Sequence, residues 1–170
     1  MSIKSVFVSS ILITSFAVHA EEKEIEVLFT AKALTPEAAL MVSQAALESC
    51  RKEGLQVSVA VVDGGGNVQV VLRDKLAGIS SPDAAILKAK TSINFRSATT
   101  ALSEAVNSNS EASGIRQLPG ILVLGGGVTI QASGSMVGAV GVAGAPDGKL
   151  DEKCAMAGVE AIQVLLEFSD

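Results

Sequence analysis

The spacing of apolar and polar positions changes period several times along the chain, and each change marks an element. Thr35-Pro36-Glu37 supplies a hydroxyl cap, a first-turn proline and a first-turn carboxylate, so a helix is predicted from there to about Glu53, with Gly54 as its left-handed stop. Two β-branched runs follow, Gln56 to Val62 and Val68 to Arg73. They flank Asp63-Gly64-Gly65-Gly66-Asn67, the composition of a hairpin with a glycine-bulged turn. Ser81-Pro82-Asp83 repeats the helix-start chemistry for a helix to about Phe95, and Thr99 to Val106 suits a further short helix. After a polar stretch from Asn107 to Gly120, three more runs read as strands: Ile121 to Leu124, Val128 to Ala132 and Met136 to Val142. The last helix is expected over about Asp151 to Glu167, where Val159, Ile162, Leu165 and Leu166 recur at helical spacing. Glu24 to Phe29 suits either a short edge strand or a disordered arm.

Connections as short as Gly125-Gly126-Gly127 and Ser133-Gly134-Ser135 force antiparallel neighbours, because a parallel pair needs a long crossover. The order of elements has no βαβ alternation. It predicts an α+β fold, one antiparallel sheet of about five strands with helices packed on it. Ahead of this lies a different pattern: Lys4, an apolar stretch from Val6 to Val18, and the small-residue site Val18-His19-Ala20 before Glu21-Glu22-Lys23-Glu24. Residues 1–20 are therefore expected to be a cleaved signal peptide, too short in apolar length for a spanning helix. Residues 21–170 are expected to be a single domain working in the periplasm or outside the cell, with no membrane insertion.

Charge and composition narrow the chemistry. The chain has 13 basic and 18 acidic residues, and cleavage would remove only Lys4, moving the formal charge from −5 to −6. That balance argues against nucleic acid or an anionic lipid surface, which recruit clustered Lys and Arg. The one histidine, His19, sits in the expected leader, and the chain has no Tyr and no Trp. A mature form without imidazole has no Ser-His-Asp or Cys-His mechanism, no His-ligated zinc and no proximal-His haem. Chemistry is left to carboxylates, Lys, Arg, hydroxyls, Cys and Met.

The glycine runs are not phosphate loops, since they open strands rather than helices. Gly144-Ala145-Pro146-Asp147-Gly148-Lys149 also fails as a nucleotide loop, because Ala143 stands where the first glycine is required and Leu150 where a magnesium-binding hydroxyl is required. No nucleotide is expected. Cys50 and Cys154 are the only cysteines. They form either a disulfide between the first and last helices or two buried thiols, and the Cα separation decides which. Lys88, Thr91 and Phe95 fall on adjoining parts of one helix face. The ordinary role of such a threonine is to bond its own backbone or to pack.

A set of ordered motifs then carries a resemblance over nearly the whole mature chain. Val59-Ala60-Val61-Val62-Asp63 with Gly66-Asn67, Leu72-Arg73, Ser81-x-x-x-Ala85-x-x-Lys88-Ala89-x-Thr91 and Leu118-Pro119-Gly120 come first. Gly138-x-x-Gly141-Val142-x-Gly144, Leu150-Asp151-Glu152 and Ala157-Gly158 complete it. Together they resemble the GlcG/HbpS family of haem-binding proteins, seen also as the PduO C-terminal-type domain. The resemblance implies a profilin-like fold with a five-stranded antiparallel sheet, a homo-oligomer, and binding of haem or a related tetrapyrrole. It implies Thr91 as the helix threonine that contacts haem and its metal. Arg73 and Lys88 are the matching cations for the propionates.

Two positions depart from the family pattern. Lys75-Leu76 stand where an Asp-Gly pair is common, and Cys154 stands where an aromatic residue is common.

The expected function is that of an exported tetrapyrrole carrier or haem- and redox-sensing accessory, with a membrane sensor protein as a further partner. The alternative is an enzyme that degrades haem or acts on a small oxidised metabolite such as a 2-hydroxy acid pathway intermediate. It is disfavoured because acid–base catalysis without His or Tyr needs a Lys or carboxylate shifted by several units. A third class, a purely structural or partner-binding module, would show itself by co-purification.

Overall fold

The computed structural model describes residues 26–168. The chain divides into two units, residues 1–30 and 31–170. Of the first unit, 26–30 has no regular secondary structure, so the edge strand considered over Glu24 to Phe29 is absent from its described part. The expected leader lies outside the described residues.

The second unit carries every element among the described residues. Helix α1 (Pro36–Lys52) starts where the sequence places it, with the Ala38 N–H donating to Thr35 Oγ1 at 3.2 Å. Strands β1 (Ser58–Asp63) and β2 (Val68–Arg73) form the first hairpin. In its turn the Asp63 carboxylate accepts the N–H groups of Gly65 and Asn67, and Gly66 takes a positive φ of 80°. Then come α2 (Ser81–Phe95), α3 (Thr99–Ser108), a 3₁₀ stretch (Glu111–Gln117), β3 (Gly127–Ala132), β4 (Ser135–Ala143), α4 (Gly148–Glu160) and α5 (Gln163–Glu167).

The sheet has four strands in the order β2-β1-β4-β3, every neighbour antiparallel. The expectation of five is corrected at Ile121 to Leu124, which is not a strand. Its hydrogen bonds go elsewhere: the Leu122 N–H to the Thr91 side chain, and the Leu124 N–H to the Leu122 carbonyl. Gly125-Gly126-Gly127 is accordingly not a hairpin turn between strands. The last helix is also corrected. It starts earlier, at Gly148 under an Asp147 cap, and breaks after Glu160 so that Ile162 and Leu166 both turn into the core.

Strand β1 is buried on both faces, which explains its unbroken apolar run. On one face α1 and α4 pack over Val59, Val61, Val140 and Val142. On the other, α2 packs over Ala60, Val62 and Ala139 with Ala85 and Ala89. The small residues bring the α2 backbone onto the sheet. A Cβ at Gly141 would lie 2.1 Å from the Ala85 carbonyl oxygen and 2.6 Å from the Ala89 nitrogen. Gly141→Ala is expected to destabilise by about 3 kcal/mol, because a methyl there forces helix and strand apart. A urea midpoint within a tenth molar of the parent would show that this contact is not tight.

Cys50 near the end of α1 and Cys154 in α4 are joined as a disulfide, with Cα atoms 5.5 Å apart and both residues buried. Beside it, Arg51 reaches Asp74 with two hydrogen bonds, Nε at 2.7 Å and Nη2 at 3.0 Å. That guanidinium holds the Asp74 carboxyl down at about 2.

Candidate functional site

Helix α2 must bury one stripe against β1 and β4, and two polar residues on it, Lys88 and Thr91, are carried inward beside Ala85 and Ala89. The Thr91 hydroxyl donates to the Leu87 carbonyl at 2.7 Å, the ordinary back-bond of a helix threonine. It also accepts the Leu122 N–H at 2.9 Å, and so fastens the irregular Leu118 to Leu124 segment to α2. That segment is apolar yet partly open, with Leu118 at 48% and Leu124 at 49% exposure and Ile121, Leu122 and Val123 half-buried.

Lys88 is 1% exposed and Asp151 2% exposed, and their Nζ and Oδ2 atoms lie 2.7 Å apart. A charge buried this deeply needs a partner. The other Asp151 oxygen accepts the Ala145 N–H at 2.9 Å. Burial pushes the Asp151 carboxyl above its ordinary range, against the downward pull of the Lys88 ammonium. The next residue, Glu152, accepts the Thr100 N–H at 3.0 Å and so caps α3 from across the fold. Gly127 donates to Thr99 Oγ1 at 2.8 Å. The glycine triplet is thus a packing seam, where a Cβ at Gly127 would meet the Lys88 carbonyl at 2.3 Å and one at Gly125 would meet Thr100 Oγ1 at 2.4 Å.

Three depressions share Leu124 as a wall. One of about 330 Å³ lies along Ile121 to Leu124 with Arg116 at its edge. One of about 280 Å³ reaches Lys88 and Asp151 past Ser81, Ala84 and Gly144. One of about 320 Å³ lies between Thr100 in α3 and Gly148 at the start of α4.

Of the residues singled out from sequence, Lys88 and Thr91 share the buried side of α2. Arg73 stands at the end of β2, exposed, with its guanidinium donating to the Ala77 carbonyl. The sequence reading missed Asp151 as the counter-ion of Lys88 and Leu122 as the partner of Thr91. A lysine set among buried alanines was the available signal, since such a position demands an acid from elsewhere. Among the described residues no group of His, Cys, Asp and Glu is arranged to hold a metal ion, and no helix is long and apolar enough to cross a membrane.

Comparison with known proteins gives a consistent result. The chain is similar to HbpS of Streptomyces reticuli, solved as a double mutant, with 39% identity, 86% of this chain and 98% of that one covered, and a TM-score of 0.76. It is similar to a PduOC:heme complex at 26% identity, covering 76% of this chain and 95% of that one, with a TM-score of 0.69. An uncharacterised 15.0 kDa protein of Citrobacter freundii, from a dhaT-dhaS intergenic region, is 31% identical over 65% of this chain and 80% of its own length. The family model described as "Haem degrading protein HbpS-like" matches residues 34–160. The chain belongs to the HbpS-like family.

Proposed function

We propose that this protein binds haem or a closely related tetrapyrrole on the surface formed by Leu118 to Leu124. The observation that carries the reading is this apolar, half-open segment hung from α2 by the Leu122 to Thr91 hydrogen bond. A flat macrocycle suits a strip of this kind, whereas each separate depression lies near the lower limit of small-molecule pockets. Family membership and the heme complex of the PduOC neighbour support the same ligand.

In this reading Thr91 acts first as a positioning residue. Its proton is spent on Leu87, and direct contact with iron requires the Leu122 amide to give way. If bound, haem would supply the redox-active iron. The chain would supply apolar cover and cations for the propionates: Arg116 at the edge of the strip, and Arg73 and Lys88 as the family resemblance implies. Arg116 already turns its guanidinium to Asn107 Oδ1 at 2.7 Å.

Hemin added to the purified protein is expected to give a saturable Soret change. Thr91→Ala should weaken binding about tenfold, while Thr91→Ser should retain it by keeping the hydroxyl. An unsaturable titration overturns the proposal. The wider role we infer is that of an exported carrier or haem- and redox-sensing accessory in the periplasm or medium, assembled as a homo-oligomer, with a membrane sensor protein as partner. A profilin-like fold belongs to the same inference.

The second reading is haem degradation, the activity for which the HbpS-like family is named. Bound haem supplied with a reductant would then lose its Soret band and release iron, where a carrier keeps both.

A further inference from the structure

Six described lysines, Lys32, Lys52, Lys75, Lys90, Lys149 and Lys153, are exposed, and Lys88 is the one described lysine that is buried. Its ammonium has three N–H donors. One acceptor meets it among the described residues, Asp151 Oδ2 at 2.7 Å. A pair kept only for packing is usually replaceable by apolar side chains at little or no cost in stability. This pair instead opens on the cavity of about 280 Å³, with Ala84, Leu124 and Ala143 as apolar walls and Ser80 and Ser81 at its side. Gly126 packs directly against the pair: a Cβ there would lie 2.9 Å from Lys88 Nζ and 2.8 Å from Asp151 Cβ, and its φ is +123°. With Nζ and Oδ2 2.7 Å apart, the amine and the carboxylate are within reach of direct proton transfer.

We propose that Lys88 and Asp151 form a reversible carbonyl-capture site, in which the lysine nitrogen condenses with a small aldehyde or ketone held in this cavity. Asp151 first takes one proton from the ammonium, which frees the Nζ lone pair. Nζ then attacks the carbonyl carbon. The carbonyl π pair moves to oxygen, and a nitrogen proton follows it to give a neutral carbinolamine. Asp151 returns its proton to the hydroxyl, which leaves as water while the nitrogen lone pair forms the C=N bond. The product is a protonated imine beside an Asp151 carboxylate, so the net charge of the site is unchanged and no oxidant or reductant is consumed. The apolar walls select a short uncharged chain on the carbonyl carbon. Lys88 is shared with the propionate role proposed above, but trapping is carried out without haem, so the two readings are tested separately.

The test is reductive trapping of the full chain with butanone and sodium cyanoborohydride, followed by intact and peptide mass spectrometry. One adduct per chain is expected, on Lys88, formed at least tenfold faster than on Lys90 or any other lysine. Asp151→Asn keeps the amine and removes the proton carrier, and should slow trapping at least tenfold. Ala84→Leu leaves both partners in place and fills the cavity, and should block trapping while circular dichroism stays unchanged. Modification of the exposed lysines with Lys88 spared overturns the proposal. So does trapping of Lys88 at the rate of Lys90, or trapping in a folded Ala84→Leu protein at the parent rate.

Discussion

Replacing both cysteines, Cys50→Ala with Cys154→Ala, is expected to cost about 4–5 kcal/mol of unfolding free energy. The bridge spans 104 residues of sequence. In the loop-entropy model a link across so long a segment removes a large share of the freedom of the unfolded chain. It also fixes α1 to α4, the two helices that close one side of the sheet. Against a typical total of about 5–15 kcal/mol, the loss takes the protein close to its threshold. Both cysteines are shielded from solvent, so the double replacement is a cleaner comparison than adding reductant to folded protein. The measurement is urea unfolding of the variant beside the parent. Equal midpoints, or two titratable thiols in the denatured, unreduced parent, would dispose of the claim.

Lys88→Met is expected to be almost as damaging, at about 3–5 kcal/mol near neutral pH, because it leaves Asp151 buried without its cation. The second change Asp151→Asn should recover more than half of that loss, since the amide oxygen still accepts the Ala145 N–H and no buried charge remains. The pH dependence has a definite sign. The Asp151 carboxyl is already held above its ordinary 3.8 by burial, and removing Lys88 takes away the largest force pulling it down. A group whose folded pKa lies above its unfolded value favours the folded state below the unfolded value, and that contribution is lost as pH rises through the folded one. The deficit of Lys88→Met should therefore shrink on acidification. Urea midpoints between pH 4 and 8 decide it; a deficit that grows on acidification contradicts the buried-carboxylate account.

The sequence discloses most elements because local chemistry sets them. Thr35-Pro36 starts α1, the Asp63 to Asn67 turn closes the first hairpin, and Ser81-Pro82 opens α2. It misleads at Ile121 to Leu124, where an apolar run bounded by glycines looks like a strand. The structure of that run is decided by a hydroxyl 31 residues earlier, which takes the amide a sheet neighbour would need. Spacing alone also could not separate α4 from α5. Ile162 and Leu166 are buried and Leu165 is exposed, a pattern whose spacing is compatible with one helix or two.

The candidate site divides in the same way. Lys88 and Thr91 stand out from sequence because they share a helix face, whereas the acid that answers Lys88 lies 63 residues away. Asp151 and Glu152 look like simple first-turn charges for a helix N-terminus. In the fold they reach past their own helix, one to α2 and the other to α3.

The attachment of Leu118 to Leu124 by a side chain rather than by a strand ladder also bears on how a guest can enter. Releasing the Leu122 amide from Thr91 breaks a single hydrogen bond and leaves all four strands paired. Opening this rim is thus a local fluctuation, energetically separate from global unfolding. The margin of the molecule can loosen while the disulfide-tied interior stays shut.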